Sequence, residues 1–119
     1  MANASPSGDQ ETLIAAYREF NARNIDAVLA LMHRDVVWPN GMEGGYVNGH
    51  EGVRAYWTRQ WAIIDPHVDP VKMDQDARGR MVVEVHQVVR DLEGKVVVDT
   101  TVRHAYVLRG GLIESMEIE

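Results

Sequence analysis

The stretch VVVDTTVRHAYVLR, residues 96–109, alternates apolar and polar side chains over most of its length. A repeat of two residues is typical of a β-strand that has one buried face. The buried face carries a mostly apolar row, which consists of Val96, Val98, Thr100, Val102, His104, Tyr106 and Leu108. The pattern therefore predicts a long strand that points His104 into the interior of the molecule.

Neighbouring stretches extend this strand into an antiparallel meander. Residues 112–118 form a last strand after the turn at Gly110-Gly111. Residues 81–90 form the preceding strand, and its inner face holds Val83, Val85, Gln87 and Val89. Two short connections thus join three consecutive strands.

The length of the last turn decides what lies opposite His104. A two-residue turn at the glycines places Glu117 there and gives a His–carboxylate pair, whereas one more loop residue places Ile118 there. The apolar spacing of Met116 and Ile118 favours the second register. That register leaves His104 without a carboxylate partner.

Three helices are predicted before the meander, because apolar residues recur there at three- and four-residue spacing. The first begins at Asp9 as N-cap and is closed by Asn21. The second spans Ile25–Met32 with Asn24 as its cap, and the third runs from about Glu51 to Ile64. Helices first and antiparallel strands last indicate the α+β class.

The segments between these helices and the meander are predicted from proline and glycine. A short strand ends at Trp38, and Pro39–Gly49 is expected to be a long loop because it holds four glycines in eleven residues. This loop is either a lid on glycine hinges or a simple connection. The prolines of residues 65–70 predict a surface turn, followed by a short extended segment near Val71–Met73.

The composition and charge of the chain limit its possible partners and location. We expect residues 1–8 to be a disordered tail and residues 9–119 to form a single domain. The net charge of -6 and the pI near 5.3 argue against nucleic acid or an acidic membrane as partner. Because the chain has no cysteine, no signal-peptide pattern and no long apolar run, we predict a cytoplasmic protein without disulfides. Asp65, His67 and His86 lack the spacing of a metal site, so no metal is expected.

Three stretches resemble one known superfamily: LIAAYREFNARNIDAVLALMHRDVVW at residues 13–38, NGHEGVRAYW at residues 48–57, and VRHAYVLRGGLIESMEI at residues 102–118. They are similar to the nuclear transport factor 2-like superfamily, in particular its SnoaL-like and ketosteroid-isomerase-like members. The resemblance implies a cone-like fold, also called cystatin-like, in which a curved antiparallel sheet wraps around three N-terminal helices. It further implies a pocket at the open end of the cone, although this fold hosts many unrelated reactions.

The resemblance also indicates which reaction is absent. Ketosteroid isomerases use an aspartate base together with a tyrosine and a protonated aspartate that bind the oxyanion. Tyr17 matches the tyrosine, but the base falls on Trp38 and the second aspartate on His104. Indole cannot take a proton from carbon, so ketosteroid isomerisation by that mechanism is not expected.

His104 and Tyr17 are the candidate catalytic residues. An inward histidine with a pKa near 6.5 can exchange a proton at neutral pH, and Tyr17 can donate a hydrogen bond to it or to a substrate oxygen. The competing interpretation is a core histidine that a neighbouring group satisfies, and a tyrosine that fills the core. The candidate substrate-binding residues are Trp38, Trp57, Trp61, Gln87 and Tyr106.

Two function classes remain open. The first is an enzyme that acts on a small, mostly apolar oxygenated molecule by cofactor-free proton transfer of the isomerase, cyclase or dehydratase kind, with His104 as acid or base. The second is a non-catalytic module of the same fold that binds a small ligand or acts through a dimer surface.

A homodimer is expected in either case. The outer face of the long strands mixes Val82, Val88, Val97 and Ala105 with polar residues, and so apolar a sheet face is rarely left in water.

Overall fold

The computed structural model describes residues 8–119, and within this range the chain forms three helices and six strands. The helices are α1 (Gly8–Asn21), α2 (Ile25–Leu29) and α3 (Gly49–Trp61). The strands are β1 (Met32–Pro39), β2 (Tyr46–Asn48), β3 (Ile64–Gln75), β4 (Met81–Asp91), β5 (Val96–Arg109) and β6 (Leu112–Ile118). Gly8, the last residue of the predicted tail, begins α1, while residues 1–7 of that tail lie outside the described residues.

All six strands belong to one sheet in the order β2-β1-β6-β5-β4-β3. Every neighbouring pair is antiparallel except β1 and β6, which run parallel. The sheet is curved and unclosed, and it wraps around the helices in the predicted cone-like α+β arrangement. The core lies between the helices and the inner face of the sheet, where Leu13 of α1, Val53 of α3 and Val83 of β4 are fully buried.

The predicted meander is confirmed in its register. His104 of β5 lies between Val83 of β4 and Ile118 of β6. The Gly110-Gly111 turn has two residues, and the shift that brings Ile118 opposite His104 is a bulge further along, where Glu114 is the extra residue of β6. The predicted register is thus reached by a bulge and not by a longer loop.

The predicted long loop at Pro39–Gly49 is wrong, because it contains a hairpin. Pro39 is the last residue of β1 and pairs with Tyr46 of β2. The turn between the strands is organised by the buried side chain of Asn40. Its Oδ1 accepts hydrogen bonds from the backbone N–H groups of Met42 and Glu43 at 3.1 and 2.9 Å. The Asn40 side chain thus stabilises the turn together with Gly44 and Gly45, which adopt positive φ angles there.

The predicted turn at residues 65–70 is also wrong, since these residues lie in the long strand β3. Prolines are tolerated in β3 because it is an edge strand, where the missing N–H need not serve the sheet. Asn21 of α1 does not simply close its helix. Its side-chain amide donates to the carbonyl of Val68 at 2.8 Å and accepts from the Val68 N–H at 3.0 Å.

The helix ends differ from the predicted ones for local reasons. Asp9 lies within the first turn of α1, one residue after the helix begins. Asn24 precedes α2 but makes no side-chain cap, because its amide donates to Glu19 Oε1 at 2.8 Å. The second helix ends at Leu29 because β1 starts at Met32, and the third ends at Trp61 because β3 starts at Ile64.

Candidate functional site

A cavity of about 360 Å³ lies between the helices and the inner face of the sheet. Most of its lining is apolar, and no Asp, Glu, Lys or Arg of the described chain lines it. Six of the seven predicted site residues do line it: Tyr17, Trp38, Trp57, Gln87, His104 and Tyr106. The alternation of β4 and β5 and the apolar stripe of α1 therefore converge on one space.

Three buried polar side chains form a hydrogen-bonded chain at this cavity. The Tyr106 hydroxyl donates to the Tyr17 hydroxyl oxygen at 2.7 Å, and the Tyr17 hydroxyl oxygen lies 2.8 Å from His104 Nδ1. His104 and Tyr106 occupy successive inward positions of β5, and Tyr17 faces them from α1. Tyr106, Tyr17 and His104 are only 2%, 5% and 8% exposed.

The direction of this chain favours one tautomer of His104. Since the Tyr17 oxygen accepts from Tyr106, its own hydroxyl proton is free to donate to His104 Nδ1. A neutral imidazole that accepts at Nδ1 carries its proton on Nε2. Nε2 has no hydrogen-bond partner in residues 8–119, so in this tautomer His104 offers an N–H donor to a molecule in the cavity.

Burial shifts the acid–base properties of all three groups. It lowers the pKa of His104 to about 4, because the charged imidazolium loses its hydration. Burial also raises the pKa of Tyr17 well above its ordinary value and raises the pKa of Tyr106. The pKa of His104 thus lies below the natural histidine value of 6.5, and the three side chains are neutral at pH 7.

The tryptophans form an aromatic wall with Phe20. Trp38 meets Trp57 edge-on at a centroid distance of 5.6 Å, and Phe20 meets Trp57 edge-on at 5.1 Å. Trp57 is at once a core residue and a cavity wall, which unites the two interpretations that the sequence left open. Trp61 does not line the cavity. It stacks behind Trp57 at 5.8 Å, and the guanidinium of Arg23 lies 4.8 Å from its ring centroid.

Met42, Tyr56 and Gln60 are among the lining residues that were not identified from the sequence. Met42 comes from the turn between β1 and β2, and Tyr56 and Gln60 come from α3. The Tyr56 hydroxyl oxygen accepts from the Gly41 N–H at 3.1 Å and from Gln60 Nε2 at 3.2 Å, which ties the turn to the helix. The three- and four-residue spacing from Val53 through Tyr56 to Gln60 was a usable signal, but the neighbouring tryptophans obscured it.

The histidines outside the cavity have simple local partners. His67 lies 3.1 Å from Asp69, and His86 lies 2.7 Å from Asp99, all on exposed strand positions. Across residues 8–119, no three His, Cys, Asp or Glu side chains are grouped as metal ligands would be. Of the helices described, none is long and apolar enough to cross a membrane.

The sequence model of the SnoaL-like domain matches residues 13–116. The chain belongs to the SnoaL-like family. This places it in the nuclear transport factor 2-like superfamily, as the sequence resemblance implied. No curated protein sequence matches the chain significantly.

Several solved structures have a fold similar to that of this chain. TerC, co-crystallised with polyporic acid, is 28% identical, with a TM-score of 0.83 and coverage of 95% of this chain and 91% of TerC. An NTF2-like protein of unknown function from Burkholderia pseudomallei is 25% identical, with a TM-score of 0.83 and coverage of 96% and 91%. Rv0760c of Mycobacterium tuberculosis, in complex with estradiol-17β-hemisuccinate, is 21% identical, with a TM-score of 0.79 and coverage of 95% and 93%.

Proposed function

We propose that this SnoaL-like protein binds a small, mostly apolar organic molecule through an oxygen atom of that molecule. The observation that carries the proposal is the buried chain from Tyr106 through Tyr17 to His104, which ends at an uncharged apolar cavity. His104 lines this cavity, and its Nε2 has no hydrogen-bond partner within residues 8–119. Nε2–H is therefore a group to which a carbonyl or hydroxyl oxygen of a ligand would bind.

Two relatives support the type of ligand. TerC was crystallised with polyporic acid and Rv0760c with estradiol-17β-hemisuccinate, both of which carry oxygen functions on ring systems. A wall built from Trp38 and Trp57 suits a flat ring system, because aromatic faces and edges pack favourably against it. These two molecules are therefore suitable first probes.

We further propose cofactor-free proton transfer of the isomerase, cyclase or dehydratase kind, with His104 as the acid–base group. A neutral imidazole can polarise a carbonyl through its N–H and stabilise the negative charge that develops on the oxygen. With a pKa of about 4 the free imidazole is a weak base. Proton abstraction by His104 thus requires an acidic substrate C–H, or a bound ligand whose developing charge raises the pKa of His104.

A non-catalytic binding protein is the second candidate, and two observations favour it. No carboxylate lines the cavity within the described chain, and the sequence resemblance puts Trp38 at the position of the isomerase base. A cavity without a strong base can hold a ligand without converting it.

Binding is tested by tryptophan fluorescence, because Trp38 and Trp57 line the cavity. We expect polyporic acid or estradiol-17β-hemisuccinate to quench the emission. His104→Asn and Tyr17→Phe should each weaken binding about tenfold, which corresponds to about 1.4 kcal/mol for a lost hydrogen bond. His86→Asn is the matched control, since His86 is exposed on the sheet. Equal affinity of the His104→Asn and His86→Asn variants would overturn the proposed binding mode.

Catalysis is tested separately by hydrogen exchange. Ring ketones that bind are incubated in heavy water, and NMR follows deuterium uptake next to the carbonyl. The enzyme proposal expects protein-dependent exchange that His104→Asn abolishes and His86→Asn preserves. Tight binding without any exchange would instead support the binding-protein candidate.

We also propose that the protein is a homodimer that associates through the outer face of the sheet, in the cytoplasm. Half-buried Val88 supports the interface. Val97 does not, because it is the extra residue of the irregular pairing between Val89 and Arg90 and lines the cavity. Val82 and Ala105 are already buried within one chain, which leaves a smaller apolar face than the sequence suggested. Sedimentation at micromolar concentration should show a dimer, and a monomer would contradict this proposal.

A further inference from the structure

Gln87 is a polar group in the cavity that the Tyr106–Tyr17–His104 chain does not use. It lies on the inner face of β4, is half-buried, and lines the cavity. Its amide makes no hydrogen bond to any residue between Gly8 and Glu119, so its amide N–H groups and its oxygen are both free. Two of its neighbours on the inner face, Val68 and Val89, are apolar, and the third, Thr100 of β5, is exposed and does not bond to the amide.

The register of the sheet gives the separation between Gln87 and the polar chain. Val83 pairs with His104, and Gln87 pairs with Thr100. The two inward polar positions are therefore four residues apart along the strands, which is about 13 Å at the usual rise per residue. Curvature of the sheet toward the helices brings the tips of the two side chains closer together than their backbones.

We propose that Gln87 is a second polar contact of the ligand and that the site selects molecules with an oxygen function at each end. This inference rests on the proposed binding function. One oxygen accepts from His104 Nε2–H, and a second, on the far side of at least two linked or fused rings, bonds to the Gln87 amide. Because the amide both donates and accepts, it recognises a hydroxyl or a carbonyl.

The absence of charged lining residues in the described chain narrows the ligand class further. A carboxylate or ammonium group buried in this cavity would lose its hydration without a compensating partner. The two oxygen functions that His104 and Gln87 contact are therefore neutral groups, and any charged group of the ligand stays in water outside the cavity. The ligand class is an elongated, ring-containing molecule with an uncharged oxygen function at each of these two contacts.

The test compares two rigid probes, para-hydroxybiphenyl and para,para′-dihydroxybiphenyl, which differ only in the second hydroxyl. Their dissociation constants are measured by tryptophan fluorescence for the wild-type chain and for Gln87→Met, which keeps the length of the side chain and removes its amide. Gln75→Met is the matched control, because Gln75 is exposed on β3 and bonds to the Gly79 carbonyl. We expect the diol to bind about three- to tenfold more tightly than the mono-ol in the wild-type chain.

In Gln87→Met the diol and the mono-ol should bind about equally tightly. If Gln87→Met still binds the diol more tightly than the mono-ol, the inference is overturned. An equal loss of affinity for both probes also overturns it, because it would show that Gln87 has a merely structural role. Equal binding of the two probes to the wild-type chain overturns the inference and leaves the proposed function standing. Failure of both probes to bind overturns the inference together with the binding function on which it rests.

Discussion

The low pKa of His104 predicts that the protein loses stability on mild acidification. The folded chain holds the pKa of His104 at about 4, whereas an unfolded chain has the ordinary value of 6.5. As pH falls below 6.5, the unfolded chain binds the proton first, so the folded state is disfavoured progressively until pH reaches about 4. The difference corresponds to about 2 kcal/mol at pH 5 and about 3 kcal/mol at pH 4.

The measurement is the free energy of unfolding in urea between pH 8 and pH 4.5. Carboxylates also lose stabilising interactions in acid, so the wild-type chain is compared with His104→Asn, in which an amide oxygen can take the place of Nδ1 as acceptor for Tyr17. The stability of the wild-type chain relative to this variant should fall by about 2 kcal/mol between pH 8 and pH 5. His86→Asn, which removes an exposed histidine, should follow the wild-type curve down to pH 5 within about 0.5 kcal/mol.

NMR titration of the His104 ring gives an independent check. Its protons should not shift between pH 8 and pH 5.5, and binding of a ligand at Nε2 should change their position. Titration near pH 6.5, or a stability difference from His104→Asn that is constant with pH, would refute the assignment of a buried neutral imidazole.

Two further predictions concern the groups around the cavity. Tyr17→Phe should lower the free energy of unfolding by about 1–3 kcal/mol, because it leaves Tyr106 and His104 without their hydrogen-bond partner. The control, Tyr46→Phe at an exposed position, should have little effect. Equal stability of the two variants in urea would contradict the buried hydrogen-bonded chain. Asn40→Ala should speed amide hydrogen exchange at residues 42–43, because their N–H groups donate hydrogen bonds to the Asn40 side chain. Unchanged exchange rates would show that other contacts hold the turn.

The residues that face the interior could be predicted from the sequence, because burial leaves a periodic pattern of apolar side chains. The strict alternation of β5 placed His104 and Tyr106 correctly, and the apolar stripe of α1 placed Tyr17 opposite them. The spacing of Met116 and Ile118 also gave the register beside His104, although it could not locate the bulge at Glu114. A bulge changes the pairing without changing which residues are apolar.

The edge strand β3 could not be predicted from the sequence, since a local sequence with prolines is compatible with either an edge strand or a turn. Pro66 and Pro70 interrupt a central strand but not an edge strand, and only the strand order shows that β3 is an edge. The size of the pKa shift of His104 could not be predicted from the sequence for a similar reason. Alternation predicts that a side chain points inward, whereas the size of the shift depends on how completely the surrounding chain excludes water.

The outer edge of β3 has a consequence for behaviour at high protein concentration. Along β3, the backbone groups that point away from β4 belong to Pro66, Val68 and Pro70. The Asn21 side chain already bonds to both the N–H and the carbonyl of Val68. The prolines have no N–H to offer, and Arg23 donates to the Pro66 carbonyl at 2.7 Å. A strand from another molecule would find no free N–H along this stretch, and the opposite edge, β2, is only three residues long. Residues 66–70 therefore resist the strand-by-strand addition through which open sheets aggregate into fibrils.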